Sequence, residues 1–136
     1  MDVNQIKAFF ENDKFAEMTG IVIEEITDNE VVCSLNIEKK HSNSVGTVQG
    51  GAVFTLADFT FAIACNSEDL KNGSSSISVA QSCNISFFKP AKGDKLISKA
   101  ICLQKGKRIS VYRMEITDNL GTNVAEMTAN AYRIEK

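Results

Sequence analysis

The sequence predicts an α+β protein in which an antiparallel sheet of about six strands curls round one long apolar helix. Three observations lead there. Residues 76–88, 94–104, 108–118 and 122–133 are strand-like stretches separated by short turns, the connections that join antiparallel neighbours. Upstream, Gly50-Gly51 opens AVFTLADFTFAIACNS, a run that is apolar on nearly every side. A helix of that kind belongs inside a protein or between subunits. The whole order, helix, two strands, helix, four strands, keeps the helices apart from the sheet.

Each element follows from its own pattern. Residues 3–12, VNQIKAFFEN, set Val3, Ile6, Phe9 and Phe10 at helical spacing, a short amphipathic helix. Residues 21–27 and 30–38 are rich in branched side chains and flank Asp28-Asn29, so they read as a hairpin. KKHSNSVGTVQ (39–49) is a polar loop. The long helix starts at Gly50-Gly51 and is expected to end near Asn66-Ser67, before the polar EDLKNGSSS turn. Pro90 to Gly93, Lys105 to Lys107 and Asn119 to Gly121 separate the last four strands. The sheet can cover only one side of so apolar a helix, and a second subunit is expected on the other.

Composition narrows the function classes. The 136 residues suit one domain, 1–136. With 15 Lys+Arg against 17 Asp+Glu, the chain lacks the basic excess of a general nucleic-acid binder. No apolar run approaches the roughly 18 residues of a membrane helix, and the N-terminus lacks the basic start and apolar core of a signal peptide. The chain is expected to be cytoplasmic. Cys33, Cys65, Cys83 and Cys102 lie 32, 18 and 19 residues apart in apolar surroundings. That spacing offers no C-x-x-C pair and reads as reduced cysteines serving as small hydrophobes. His41 is the single histidine, which excludes a multi-histidine metal site within one chain, and it reads as an exposed loop residue.

Two features carry chemistry. Asp58 stands in FTLADFTFA, where a carboxylate is costly unless it is hydrogen-bonded, paired or placed at a cleft. Either a neighbour satisfies it or it works at a site; the sequence leaves both open. Gly50-Gly51 stands at a helix N-terminus, where free N–H groups and the helix dipole favour an anion or a polarised carbonyl oxygen; the other reading is a tight turn chosen for packing. Asp58 follows Gly51 by seven residues, about 10 Å of helical rise. One helix therefore does not easily present Asp58 to a group held at its own N-terminus, whereas an antiparallel partner helix does. Asn43, Gln49, Gln81 and Asn84 supply amides nearby, and Lys105, Lys107 and Arg108 form a basic turn.

The stretch NSVGTVQGGAVFTLADFTFAIACNS, Asn43 to Ser67, closely resembles the signature of hotdog-fold acyl-CoA thioesterases of the phenylacetate-pathway (PaaI-like) type. The likeness continues through Ile85–Pro90, Gly93–Leu96, Gly106–Arg108 and Val111-Tyr112. The resemblance implies a helix wrapped by sheet, an obligatory homodimer that pairs into tetramers, and hydrolysis of acyl-CoA thioesters without metal or other cofactor. It implies Asp58 as catalytic carboxylate, acting as nucleophile or as general base on water, the Gly51 N–H as oxyanion donor with Gly50 beside it, and Asn43 as a positioning residue. Gln81 or Ser82 falls near an auxiliary polar position, and Lys105, Lys107 and Arg108 near the CoA phosphates. One departure stands out: the family's His-Gly-Gly is Gln49-Gly50-Gly51 here. Glutamine can orient the loop or the thioester oxygen, but it cannot shuttle a proton. That substitution motivates a second reading, a catalytically weak hotdog protein that binds acyl-CoA or another acyl thioester as sensor or carrier.

Overall fold

A computed structural model describes all residues, 1–136. Helix α1, Val3–Phe10, is opened by a capping box in which the Asp2 carboxylate accepts from Gln5 N–H. Helix α2, Lys14–Thr19, follows directly. Strands β1, Ile21–Ile26, and β2, Val31–Asn36, form the expected hairpin. After a 3₁₀ turn at Lys39–His41 comes the long helix α3, Gly50–Lys71. Strands β3, Ile77–Phe87, β4, Lys95–Gln104, β5, Ile109–Asp118, and β6, Asn123–Ile134, complete the chain.

The six strands form one antiparallel sheet in the order β1-β2-β4-β5-β6-β3. Its period-two alternation turns Leu96, Ala100, Tyr112, Met114, Ile116, Ala125, Met127 and Ala129 inward, where they meet Leu56, Ala57, Phe61 and Ile63 of α3 in one core. α3 carries the chain from β2 across the sheet to the far edge, so β3 lies outside β6 and has no strand beyond it. Asn66 pins the helix there: its amide donates to Ser78 C=O at 3.0 Å and accepts from Ser78 N–H at 2.8 Å. Arg133 makes a bidentate pair with Asp69 at 2.9 Å, tying β6 to the end of the same helix.

Several expectations need correction. The first helix stops at Phe10, two residues early, and a second short helix, α2, follows where the apolar pattern of the sequence shows none. α3 runs on past Asn66-Ser67 to Lys71. Glu68, Leu70 and Lys71 are good helix formers, and Asn66 uses its side chain on strand β3 instead of on a helix end. His41 is 4 % exposed, not a surface residue. Its Nδ1 accepts from Glu38 N–H at 2.9 Å, so Nε2 carries the proton and donates to Thr19 C=O at 2.7 Å. Cys33 and Cys65 are buried as expected, with burial pushing both thiols up to about 12. Cys83 and Cys102 are exposed, because they lie near the open edge of the sheet and at the end of β4. No helix is long and apolar enough to cross a membrane.

Candidate active site

The N-terminal half of α3 presents Gly51, Thr55 and Asp58 on one face, the i, i+4, i+7 spacing of a helix. These residues line an open hollow of about 660 Å³ together with Gln49, Ala52, Phe54, Lys40, and Phe15 and Met18 of α2. Asp58 is half-buried, and neither a hydrogen bond nor an ion pair in the protomer engages its carboxylate. The hydroxyls of Thr55 and Thr60 are turned back to Gly51 C=O and Leu56 C=O. Within one protomer, then, no neighbouring side chain satisfies the Asp58 carboxylate. Burial, and secondarily the charge of Asp13 at the N-cap of α2, raise the Asp58 pKa above the ordinary carboxylate value.

At the head of α3 the two glycines have different surroundings. A Cβ on Gly50 would meet the Phe87 ring at 3.4 Å, an ordinary contact, so α3 and β3 lie side by side here. Gly51 faces the hollow, and the Gln49 side chain folds over it: Gln49 Oε1 accepts from Gly51 N–H and caps the helix. The donor assigned to an oxyanion is thus already engaged by a neutral carbonyl oxygen of the same chain. Gln49 is exposed, so its side chain can swing away.

The remaining sequence-predicted residues fall elsewhere. Asn43 builds the loop leading to Gln49: its Oδ1 accepts from Val45 and Thr47 N–H at 3.1 and 3.0 Å, and its Nδ2 donates to Thr47 Oγ1 at 2.8 Å. It does not line the hollow. Gln81 is the extra residue of a bulge between Ala80 and Ser82, halfway along the exposed edge strand. Ser82 pairs with Asn130 and Cys83 with the buried Ala129. The side chain directed toward α3 is therefore that of Cys83, whose thiol is pushed up by burial and by the Asp58 charge. Lys105 is paired with Glu68 at 3.3 Å and lines a different hollow of about 530 Å³ at the C-terminal end of α3. Lys107 and Arg108 are exposed in the same turn. Within one protomer none of the three approaches Gly51 or Asp58. No group of three or more His, Cys, Asp or Glu side chains comes together as a metal site.

Helix α2 is the part of the hollow that sequence reasoning missed. Its signal was present: Asp13 and Gly20 bracket six residues as N-cap and left-handed C-cap, the latter at φ 97°.

The profile of the thioesterase superfamily matches residues 45–125, the span that holds Gly51 and Asp58. The chain belongs to that family. It is 34% identical over 128 residues to acyl-coenzyme A thioesterase PaaI of Escherichia coli, covering 93% of this chain and 87% of that protein. Human acyl-coenzyme A thioesterase 13 is 30% identical over 117 residues, 83% of this chain and 79% of the relative. The solved structure of E. coli PaaI superposes with a TM-score of 0.85 at 30% identity, covering 98% of this chain and 96% of that one.

Proposed function

We propose that the protein is a thioester hydrolase that cleaves acyl-CoA to the free acid and CoA, with Asp58 as its catalytic carboxylate. One observation carries the residue assignment: Asp58 is the half-buried acid that the protomer leaves without any partner, facing the same hollow as the Gly51 N–H. A carboxylate with a raised pKa is a stronger base than an exposed one. It takes the proton of a water as that water attacks the thioester carbonyl. The oxygen that gains negative charge is held by Gly51 N–H and the N-terminal dipole of α3. Collapse of the tetrahedral intermediate breaks the C–S bond, and CoA leaves as thiolate or takes the proton back from Asp58. For the carbonyl to reach Gly51, Gln49 Oε1 must first give up that N–H.

The two groups are about two helical turns apart on one protomer, further than a reacting carbonyl and its attacking atom can be. We place the complete site between two protomers, Gly51 from one and Asp58 from the other. The β3 edge supports this arrangement. Its 11 residues, ISVAQSCNISF, contain no charge and no proline, and nine of them are exposed. Such an edge is open to pairing with a second copy. Ile109 and Tyr132, paired on the outer sheet face and each more than a third exposed, suit a further contact between two dimers. We also place the protein in the cytoplasm, in keeping with its four free thiols.

The weak-binder alternative has its own support, since Gln49 occupies the oxyanion donor. Thiol release from acyl-CoA esters by the wild type separates the two: turnover establishes the hydrolase, and saturable binding without turnover establishes the binder.

A further inference from the structure

The burial pattern of α2 runs against its composition. Ala16 is 4% exposed, whereas its far larger neighbours Phe15 and Met18 are 60% and 65% exposed. The hydrophobic effect alone would bury the larger pair. Lying three residues apart, they share one face of the helix, and that face borders the hollow that holds Asp58 and Gly51. A six-residue helix does not stand by itself; this one is fixed at both ends. The Asp13 carboxylate accepts from Ala16 N–H at 3.0 Å. At the other end Lys40 Nζ donates to Met18 C=O at 2.9 Å and His41 Nε2 to Thr19 C=O at 2.7 Å. The buried His41, which itself lines the hollow, thus helps hold two apolar side chains on the same hollow as Asp58.

We propose that Phe15 and Met18 are specificity-determining residues that form, with Phe54, the wall against which the acyl group packs. The inference rests on the thioesterase reading of the Asp58 hollow. Phenylalanine supplies a rigid apolar surface and methionine an adaptable one, so the wall accepts apolar acyl groups of different shapes. The Asp13 charge lies near enough to Asp58 to add to the cost of ionising it, and these negative charges disfavour acyl groups that end in a second carboxylate. The wall therefore favours apolar acyl groups over very short or anionic ones.

The test compares wild type, the double variant Phe15→Ala/Met18→Ala and the conservative double variant Phe15→Leu/Met18→Leu. The probes are two non-hydrolysable thioethers, S-hexyl-CoA and S-methyl-CoA, titrated by calorimetry. Both side chains are exposed, so the fold should survive, and sedimentation checks the oligomer. The alanine variant should bind S-hexyl-CoA roughly tenfold to a hundredfold more weakly. S-methyl-CoA should be unaffected, and the leucine variant should recover most of the loss. Equal affinity for S-hexyl-CoA in wild type and alanine variant overturns the proposal. So does a parallel loss for both probes, failure of the wild type to bind either, or dissociation of the oligomer in the alanine variant, which would make α2 a subunit contact. Thiol release from hexanoyl-CoA is measured separately. If none occurs while S-hexyl-CoA binding still depends on Phe15 and Met18, the wall stands and the hydrolase reading falls.

Discussion

Asp58 is a carboxylate kept half out of water with nothing to pair with, and that arrangement has a stability consequence. Its folded-state pKa is raised by burial and by Asp13, so the folded protein holds a proton there more tightly than the unfolded chain does. The stabilisation linked to that proton is present below the unfolded value, about 3.9, and is lost as pH rises through the folded value. At neutral pH the ionised Asp58 is a strain on the fold. Asp58→Asn should raise the melting temperature by a few degrees at pH 7 while sharply lowering turnover, and the gain should vanish in acid; thermal scans across pH check this. The acid limb of kcat/KM should likewise lie above that of an exposed aspartate. Gln49 makes a second residue-level prediction. Gln49→Ala removes the internal competitor for Gly51 N–H, so KM should fall with kcat held within about tenfold. Gln49→Glu places a carboxylate at a helix N-terminus, where it is favoured, and should raise KM. A collapse of kcat in the alanine variant would instead assign the amide a part in the chemical step. Asp58 was legible in the sequence because an acid inside an apolar helix is conspicuous. The Gln49 cap was not, since glutamine has no strong N-cap preference and the contact depends on one side-chain rotamer.

The elements were readable to the extent that their signals are periodic. Six strands and two of the three helices carry apolar patterns of period two or 3.6, or unbroken apolarity. α2 is too short for periodicity to register, and only its caps betray it. The burial of His41 depends on a backbone carbonyl 22 residues away, a contact no local pattern encodes. A further element-scale knot lies where the loop after β3 meets the β5–β6 turn. Asp118 is 3% exposed and accepts from the N–H groups of Lys92, Gly93, Leu120 and Thr122 at 2.8 to 3.0 Å. Burial alone would raise its pKa, but the donors of Gly93, Lys92 and Thr122 outweigh it and hold the carboxyl well below its ordinary range. With the folded value depressed, this contribution is present above the unfolded pKa and is lost as pH falls below about 4. Asp118→Asn turns an N–H donor toward other donors and should cost about 2–3 kcal/mol at pH 7, read as a lower urea midpoint. Catalysis per folded molecule should be unchanged, since the knot lies apart from the hollow.

On the scale of the whole molecule, one protomer presents Gly51 and Asp58 in an open hollow and leaves β3 with no strand beyond it. In the sequence, the spacing of Gly51 and Asp58 reads as a site shared with a second copy of the chain, and the shared site proposed above uses the charge-free β3 edge; no pattern within one chain reveals which edge is left open. Val79→Lys with Asn84→Lys sets like charges along the strand and should yield monomers in sedimentation. Turnover should fall with the loss of dimer and recover in part at high protein concentration; monomers of undiminished activity would refute the shared site. The most direct measurement of the central claim is thiol release from aromatic, short-chain and medium-chain acyl-CoA esters by wild type and Asp58→Asn, with CoA-ester affinity measured alongside. The wild type should turn over some of these esters, and Asp58→Asn should lose activity on the order of 10²–10⁴-fold with affinity little changed. Equal rates in the two proteins would contradict the claim.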